Sequence, residues 1–149
     1  MGKKNAMLAD LDGTLCDISH RIHLYHAKRY DDFHSLLVND PVNQNVVNML
    51  WGCISGGIEP IFLTARPERF RALTTEWLRK NVGDHMAKKP LFMKLDDDAR
   101  DDDVVKQNIF VNKIQPNYNV VLAIEDRAHV VEMWRSLGLE CWAVAKGEY

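Results

Sequence analysis

Residues 6–14 read AMLADLDGT, an apolar run that ends in two aspartates one residue apart, followed at once by Gly-Thr. A short apolar run closed by a turn signal predicts a buried strand, here over residues 5–10. Side chains alternate faces along an extended segment, so Asp10 and Asp12 fall on the same side where the strand stops. Like charges that close raise each other's pKa unless a cation, a fixed donor or a proton intervenes. The pair therefore suits a divalent metal and a division of labour between nucleophile and acid. Gly13 lets the backbone approach whatever sits there, and Thr14 adds a hydroxyl and an N–H. On the dipeptide alone, Asp-Gly is equally a hairpin turn.

The rest of the chain weighs against the hairpin. Ile18, Ile22, Leu24, Tyr25, Phe33, Leu36 and Leu37 recur at roughly helical spacing with a break near residues 29–31, which predicts two short helices on a compact excursion. Asn39-Asp40-Pro41 interrupts the pattern, and a helix over 42–53 presents Val46, Val47, Leu50 and Trp51 on one face. After Gly56-Gly57, IEPIFLT at 58–64 is a second buried strand with Pro60 near its start. A helix over 68–81 turns Phe70, Leu73, Trp77 and Leu78 inward, and a third strand follows at 90–93. Beyond an acidic loop come a helix over 103–114 with Val104, Val105, Ile109 and Phe110 inside, and a strand at 119–124 that runs into Glu125-Asp126-Arg127. A helix over 128–137, stopped by Gly138, precedes a last strand at 140–144.

Strands alternating with helices predict an α/β fold: a doubly wound, mostly parallel sheet with helices on both faces. Ligands bind such sheets at the carboxyl ends of the strands. Asp10 and Asp12, Thr64 and Arg66, and Glu125 and Asp126 all arrive at that edge, from three different strands.

At 149 residues the chain is expected to form one domain with a substantial core. Its 46% hydrophobic and 27% charged content is that of a soluble globular protein. No apolar run approaches the roughly 18 residues of a membrane span, and the opening MGKKNAMLAD lacks a signal-peptide core, so a cytoplasmic setting and no membrane partner are expected. Cys16, Cys53 and Cys141 are odd in number and far apart, which suggests neither a disulfide framework nor a zinc site. A formal net charge of −2 gives no global reason to expect a nucleic-acid binder. Locally, Arg66, Arg69, Arg71, Arg79, Lys80, Lys88 and Lys89 make the middle of the chain basic, while residues 96–103 are acidic, so a polyanion would have to meet a patch. His20, His23, His26 and His34 crowd the excursion, but their spacing does not bring a zinc set onto one helical face. Surface or substrate-contacting histidines are the better expectation.

These residues resemble the haloacid dehalogenase-type phosphatase superfamily. Its four motifs are Asp-x-Asp-Gly-Thr after a strand, a Thr or Ser ending a hydrophobic strand, a helix-borne Lys, and an acidic pair after another strand. DLDGT at 10–14, IFLT at 61–64, Lys106 in DDVVKQNIF and LAIED at 122–126 supply them in order. The stretches 101–110 and 121–149 further resemble the phosphatase domain of phage polynucleotide kinase-phosphatases; the likeness is good at DLDGT and LTAR and weak between residues 16 and 38.

The resemblance implies a Mg²⁺-dependent phosphatase that removes a 3′-phosphate from a DNA or RNA end in nucleic-acid repair. It makes Asp10 the nucleophile that forms an aspartyl-phosphate and Asp12 the general acid and base, an assignment the spacing alone leaves open. It implies that Asp10, the backbone carbonyl of Asp12, and Asp126 hold the metal, with Glu125 standing where the pattern usually has Asp. Thr14, Thr64 and Lys106 would bind the phosphoryl group, Arg66 would clamp a phosphate, Asp102 would hold Lys106, and Arg69 would help hold the strand. The excursion at about 16–41 occupies the place of a cap. No G-x-x-x-x-G-K-[ST] occurs in the chain, so the alternatives are a stand-alone relative, for which a separate kinase or ligase is a candidate partner, and an excised half of such a two-part enzyme. Helix capping is the alternative for residues 101–103 and for Glu125-Asp126. A small-metabolite phosphatase and a non-catalytic nucleic-acid-binding domain are the alternatives for the whole.

Overall fold

The computed structural model describes residues 2–147. The apolar run at the start forms β1 (Lys4–Ala9), whose last four residues are buried. The excursion that follows carries α1 (Ile22–His26) and α2 (Tyr30–Ser35) and ends in a 3₁₀ turn, Leu36–Asn39. Next come α3 (Gln44–Ser55), β2 (Glu59–Pro67), a 3₁₀ turn at Glu68–Phe70, α4 (Arg71–Asn81), the short α5 (Asp84–Ala87) and β3 (Leu91–Lys94). Then α6 (Asp102–Ile109) widens into a π-helical turn, Phe110–Ile114, before β4 (Tyr118–Arg127), α7 (Ala128–Ser136) and β5 (Cys141–Gly147).

The five strands make one parallel sheet in the order β3-β2-β1-β4-β5. In register, Leu8 lies beside Ile61 on one side and Ala123 on the other. The chain steps outward from β1 to β3 and then returns to lay β4 against the opposite edge of β1. The winding thus reverses at the central strand, the topological switch point where such sheets bind ligands.

Alternation along the strands builds two cores. Met7, Ala9, Phe62 and Ile124 face Val46, Val47, Leu50, Trp77 and Leu78, from α3 and α4. Ala6, Leu8, Ile61, Leu63 and Ala123 face Phe110, Ile114, Val130 and Trp134 on the other side. Helices therefore cover both faces, as a parallel sheet requires.

Several expectations differ in detail. β2 runs to Pro67, which pairs with Lys94, whereas the apolar pattern ends at 64 because Arg66 and Pro67 interrupt it. α5 is too short to leave a periodic signal. Leu73 and Val104, expected inside, lie at the surface, as does Trp51 at the edge of its helix's apolar face. Trp51 stacks on His85, and the inward place beside Leu73 is taken by Thr74, whose hydroxyl accepts a hydrogen bond from Arg66.

The excursion is part of the core, not an appendage. Leu24, Phe33 and Leu37 join the cluster built on Met7 and Phe62. Leu37 is fully buried while its neighbour Leu36 is 38% exposed. Leu37→Ala is expected to cost about 2–5 kcal/mol, and Leu36→Ala no more than about 0.5 kcal/mol, in urea denaturation. Equal losses at the two positions would show that Leu37 does not anchor the excursion.

Candidate active site

Past Ala9 the chain leaves the sheet in a tight loop. Gly13 adopts φ 82°, which L side chains rarely tolerate, and this turns the Thr14 N–H onto the Leu11 carbonyl at 3.1 Å. The loop stands Asp10 and Asp12 at the strand end, but they enter different charge environments.

Asp12 lies within a buried cluster of arginines. Its carboxylate accepts from Arg66 Nη2 at 2.5 Å and Nε at 3.1 Å, and from Arg21 Nη2 at 2.6 Å. Asp40, itself buried, accepts from Arg21 Nε at 2.7 Å and Nη2 at 2.6 Å, from Arg66 at 3.4 Å and from His20 at 2.7 Å. Two guanidiniums thus face two carboxylates, and the positions that Asp12, Cys16 and Asp40 would offer a cation are already taken by arginine. Burial works against ionisation of Asp12, but the Arg66 and Arg21 charges outweigh it and hold the carboxyl well below the usual carboxylate range. Arg21 and Asp40 are site residues that periodicity could not find: one reads as a polar position in a weak helix, the other as a helix breaker.

Asp10 has too little positive charge around it. Its carboxylate accepts from Lys106 Nζ at 2.8 Å and from the Thr14 hydroxyl at 3.1 Å, while Lys106 also donates to Glu125 at 2.7 Å. Asp10, Glu125 and Asp126 are all buried, and each offers an oxygen within 4.8 Å of the others. Three carboxylates therefore meet one ammonium group. Burial and then the Glu125 charge push Asp10 well above its ordinary value, and Lys106 only partly opposes them. Lys106 is itself raised: burial would lower it, but Asp10 and Glu125 more than compensate. An all-oxygen set with excess negative charge fits a hard divalent cation. The Glu125 oxygens already accept from Lys106 and from the Asp126 and Arg127 N–H groups at 3.1 and 3.4 Å.

Both environments open onto a cleft of about 880 Å³ at the carboxyl edge of the sheet, lined by Asp10, Asp12, Thr64, Arg66, Lys106 and Glu125 among others. Thr64 accepts the Arg66 N–H at 3.2 Å and keeps its own hydroxyl proton to donate. Thr14 is buried between Asp10 and Asp126, where it orients the carboxylates instead of facing the cleft. Asp102 pairs with Arg127, not with Lys106, because α6 points the two side chains at different partners. Arg69 is drawn between Asp31 of the excursion and Asp96 of the acidic loop. Arg71 and Arg79 pair with Glu68 and Glu76, and Lys89 with Glu59, so the basic run of the sequence is largely neutralised locally. Among the described residues, no histidine joins a cluster able to hold a metal. His20 serves Asp40, and His34 lines the cleft between Phe33 and Phe70, where burial pushes its pKa down to about 4. No helix among the described residues is long and apolar enough to cross a membrane.

Comparison with known proteins identifies the family. The model of the polynucleotide kinase PNKP phosphatase domain family matches residues 4–149. A putative bifunctional polynucleotide kinase/RNA ligase of Autographa californica nuclear polyhedrosis virus is 31% identical over 135 residues, covering 89% of this chain but 18% of the relative. In the solved Pnkp1/Rnl/Hen1 complex, a chain superposes with a TM-score of 0.85 at 31% identity, covering all of this protein and 48% of that chain. The chain thus spans less than half the length of these relatives. The class C acid phosphatase from Bacillus anthracis with tungstate bound shares the fold, at a TM-score of 0.69 and 17% identity over 100% of this chain and 69% of that one. With the family match running almost end to end over a site assembled at the switch point, this chain belongs to the PNKP phosphatase domain family of haloacid dehalogenase-type phosphatases.

Proposed function

We propose that the protein is a Mg²⁺-dependent phosphomonoesterase that removes 3′-phosphates from polynucleotide ends through an aspartyl-phosphate. The observation that carries the proposal is the separation of the two aspartates: Asp10 among carboxylates and one lysine, Asp12 between two arginines. An Asp10 oxygen attacks phosphorus as the P–O3′ bond breaks, and Asp12 delivers a proton to the departing 3′ oxygen. Water then attacks the aspartyl-phosphate, Asp12 takes its proton, and phosphate leaves with the Asp10 carboxylate restored. The arginines favour the ionised Asp12 that the second step needs. An arriving phosphate dianion disfavours that charge and helps Asp12 enter the first step protonated.

Lys106 and Thr64 bind the phosphoryl oxygens, and Thr14 orients Asp10. Arg66 acts through Asp12, which it already grips, more than as a free clamp on phosphate. Asp10, Asp126 and the Asp12 carbonyl would hold Mg²⁺, with Glu125 directing Lys106. Bound there, the ion supplies neutralisation of the clustered carboxylates and polarisation of the phosphoryl group. The similar structures described as an RNA repair complex and the viral kinase/RNA ligase relative favour an RNA end, a ligase partner and a setting in nucleic-acid repair. A cytoplasmic location accords with that role. One observation favours a small phosphorylated metabolite instead: Asp96, Asp98 and Asp101–Asp103 line the cleft, where they repel a polyanion.

Asp10→Asn is expected to abolish turnover without loss of fold, because an amide cannot replace the attacking carboxylate. Full activity in protein whose mass excludes deamidation would remove Asp10 from that role.

Chelation is expected to stop activity and Mg²⁺ to restore it. Asp126→Ala should raise the Mg²⁺ concentration needed for half-maximal rate by more than Glu125→Ala does, since the Glu125 oxygens are already engaged. Undiminished turnover in excess chelator would exclude the metal, and the opposite order of the two variants would reassign the acidic pair.

Finally, 3′-phosphorylated oligonucleotides are expected to show higher kcat/KM than free mononucleotides, with a steeper loss as salt is added. A mononucleotide or sugar phosphate preferred at every salt concentration would establish the metabolite phosphatase in its place.

A further inference from the structure

One wall of the cleft is aromatic, and the chemistry at Asp10 makes no use of it. Three rings from the excursion stack edge to face: Tyr30 on Tyr25 with centroids 5.4 Å apart, and Tyr25 on Phe33 with centroids 5.5 Å apart. Exposure rises along the series. Phe33 is buried, Tyr25 is half-buried, and Tyr30, on the cleft wall, is 45% exposed. The inner end is fixed, because the Arg21 guanidinium lies 4.1 Å from the Phe33 ring centroid and donates to the Phe33 carbonyl at 3.1 Å. The outermost ring is thus held in place from behind and presents nearly half its surface to solvent at the mouth of a phosphate site.

The surrounding charge sharpens the inference. Arg127, 6.0 Å from the Tyr25 ring centroid, is engaged by Asp102, and Arg69 by Asp31 and Asp96. This wall therefore offers a flat π-face with its cations already paired, which suits a nucleobase better than a phosphate.

We infer that Tyr30, backed by Tyr25, stacks on the base of the terminal nucleotide that carries the 3′-phosphate. The excursion then recognises the nucleoside while Asp10 acts on its phosphate. This deepens the polynucleotide proposal and rests on it. Because every base has a π-face, the contact distinguishes nucleotide ends from other phosphate esters without reading sequence.

The test compares kcat/KM for three substrates: a 3′-phosphorylated oligonucleotide, the same oligonucleotide with an abasic terminal nucleotide, and glycerol 2-phosphate. Tyr30→Ala is expected to lose roughly tenfold on the first and to change little on the other two, with Tyr30→Phe restoring the loss. Equal falls on all three substrates would show that Tyr30 only supports the fold of the excursion, and no fall on the first would show that the base does not touch it; either result overturns the inference. If the unaltered protein prefers glycerol 2-phosphate to both oligonucleotides, the polynucleotide proposal fails and takes the stacking contact with it. If it prefers both oligonucleotides equally and Tyr30→Ala leaves that preference intact, only the stacking contact fails.

Discussion

Two carboxylates separated by one residue cannot both be drawn largely out of water at a strand end unless each finds its own compensating charge, since an uncompensated buried ion is too costly to keep. The loop after β1 meets this constraint by sending Asp12 to Arg21 and Arg66 and leaving Asp10 to Lys106. The consequences reach every layer of the molecule. Arg66 comes from β2, Lys106 from α6, Glu125 and Asp126 from β4, and Arg21 from the excursion. The switch point is the one place on this sheet where all of them can converge.

The excursion takes its meaning from the same constraint. Its helices are short and have no side-chain caps, so little in their own sequence holds them in shape. Tertiary contacts supply the order: Leu24, Phe33 and Leu37 in the core, Arg21 between Asp12 and Asp40, and the Trp77 indole donating to the Asp40 carbonyl at 2.9 Å. A segment anchored to Asp12 by buried charge is a wall of the cleft and not a free lid. Changes in it are felt at Asp12 without any contact to substrate.

This explains what the amino-acid sequence disclosed and what it did not. The sheet was legible because buried parallel strands are short apolar runs between turn signals, and residues 6–9, 61–64 and 122–124 are of that kind. The convergence of Asp10, Asp12, Thr64, Arg66 and the acidic pair followed from strand ends alone. Arg21 and Asp40 were hidden because a buried ion pair has no period: each residue looks polar, and only the fold makes the two neighbours. For the same reason the basic stretch from Arg66 to Lys89 suggested a patch, while in three dimensions most of those charges face a nearby carboxylate. The Asp102 pair is hidden in the same way, its partner Arg127 lying 25 residues further along the chain.

With Arg21 and Arg66 holding Asp12 and Arg69 paired with Asp31 and Asp96, the protein has few unpaired cations at the cleft with which to grip a polyanion. Exposed ion pairs such as Arg69 with Asp31 contribute little stability and exchange readily, so an incoming phosphate can compete for that arginine only by displacing an aspartate. Recognition by charge alone would then be weak, and the acidic loop makes it weaker. Besides Lys94, which donates to the Arg100 carbonyl, the cleft is lined by the rings of Tyr30 and His34, the latter neutral because burial holds its pKa near 4. Where most of the arginines are held by carboxylates, charge leaves little to tell one phosphate ester from another, and the aromatic side of this cleft is the surface on which shape and stacking can do so.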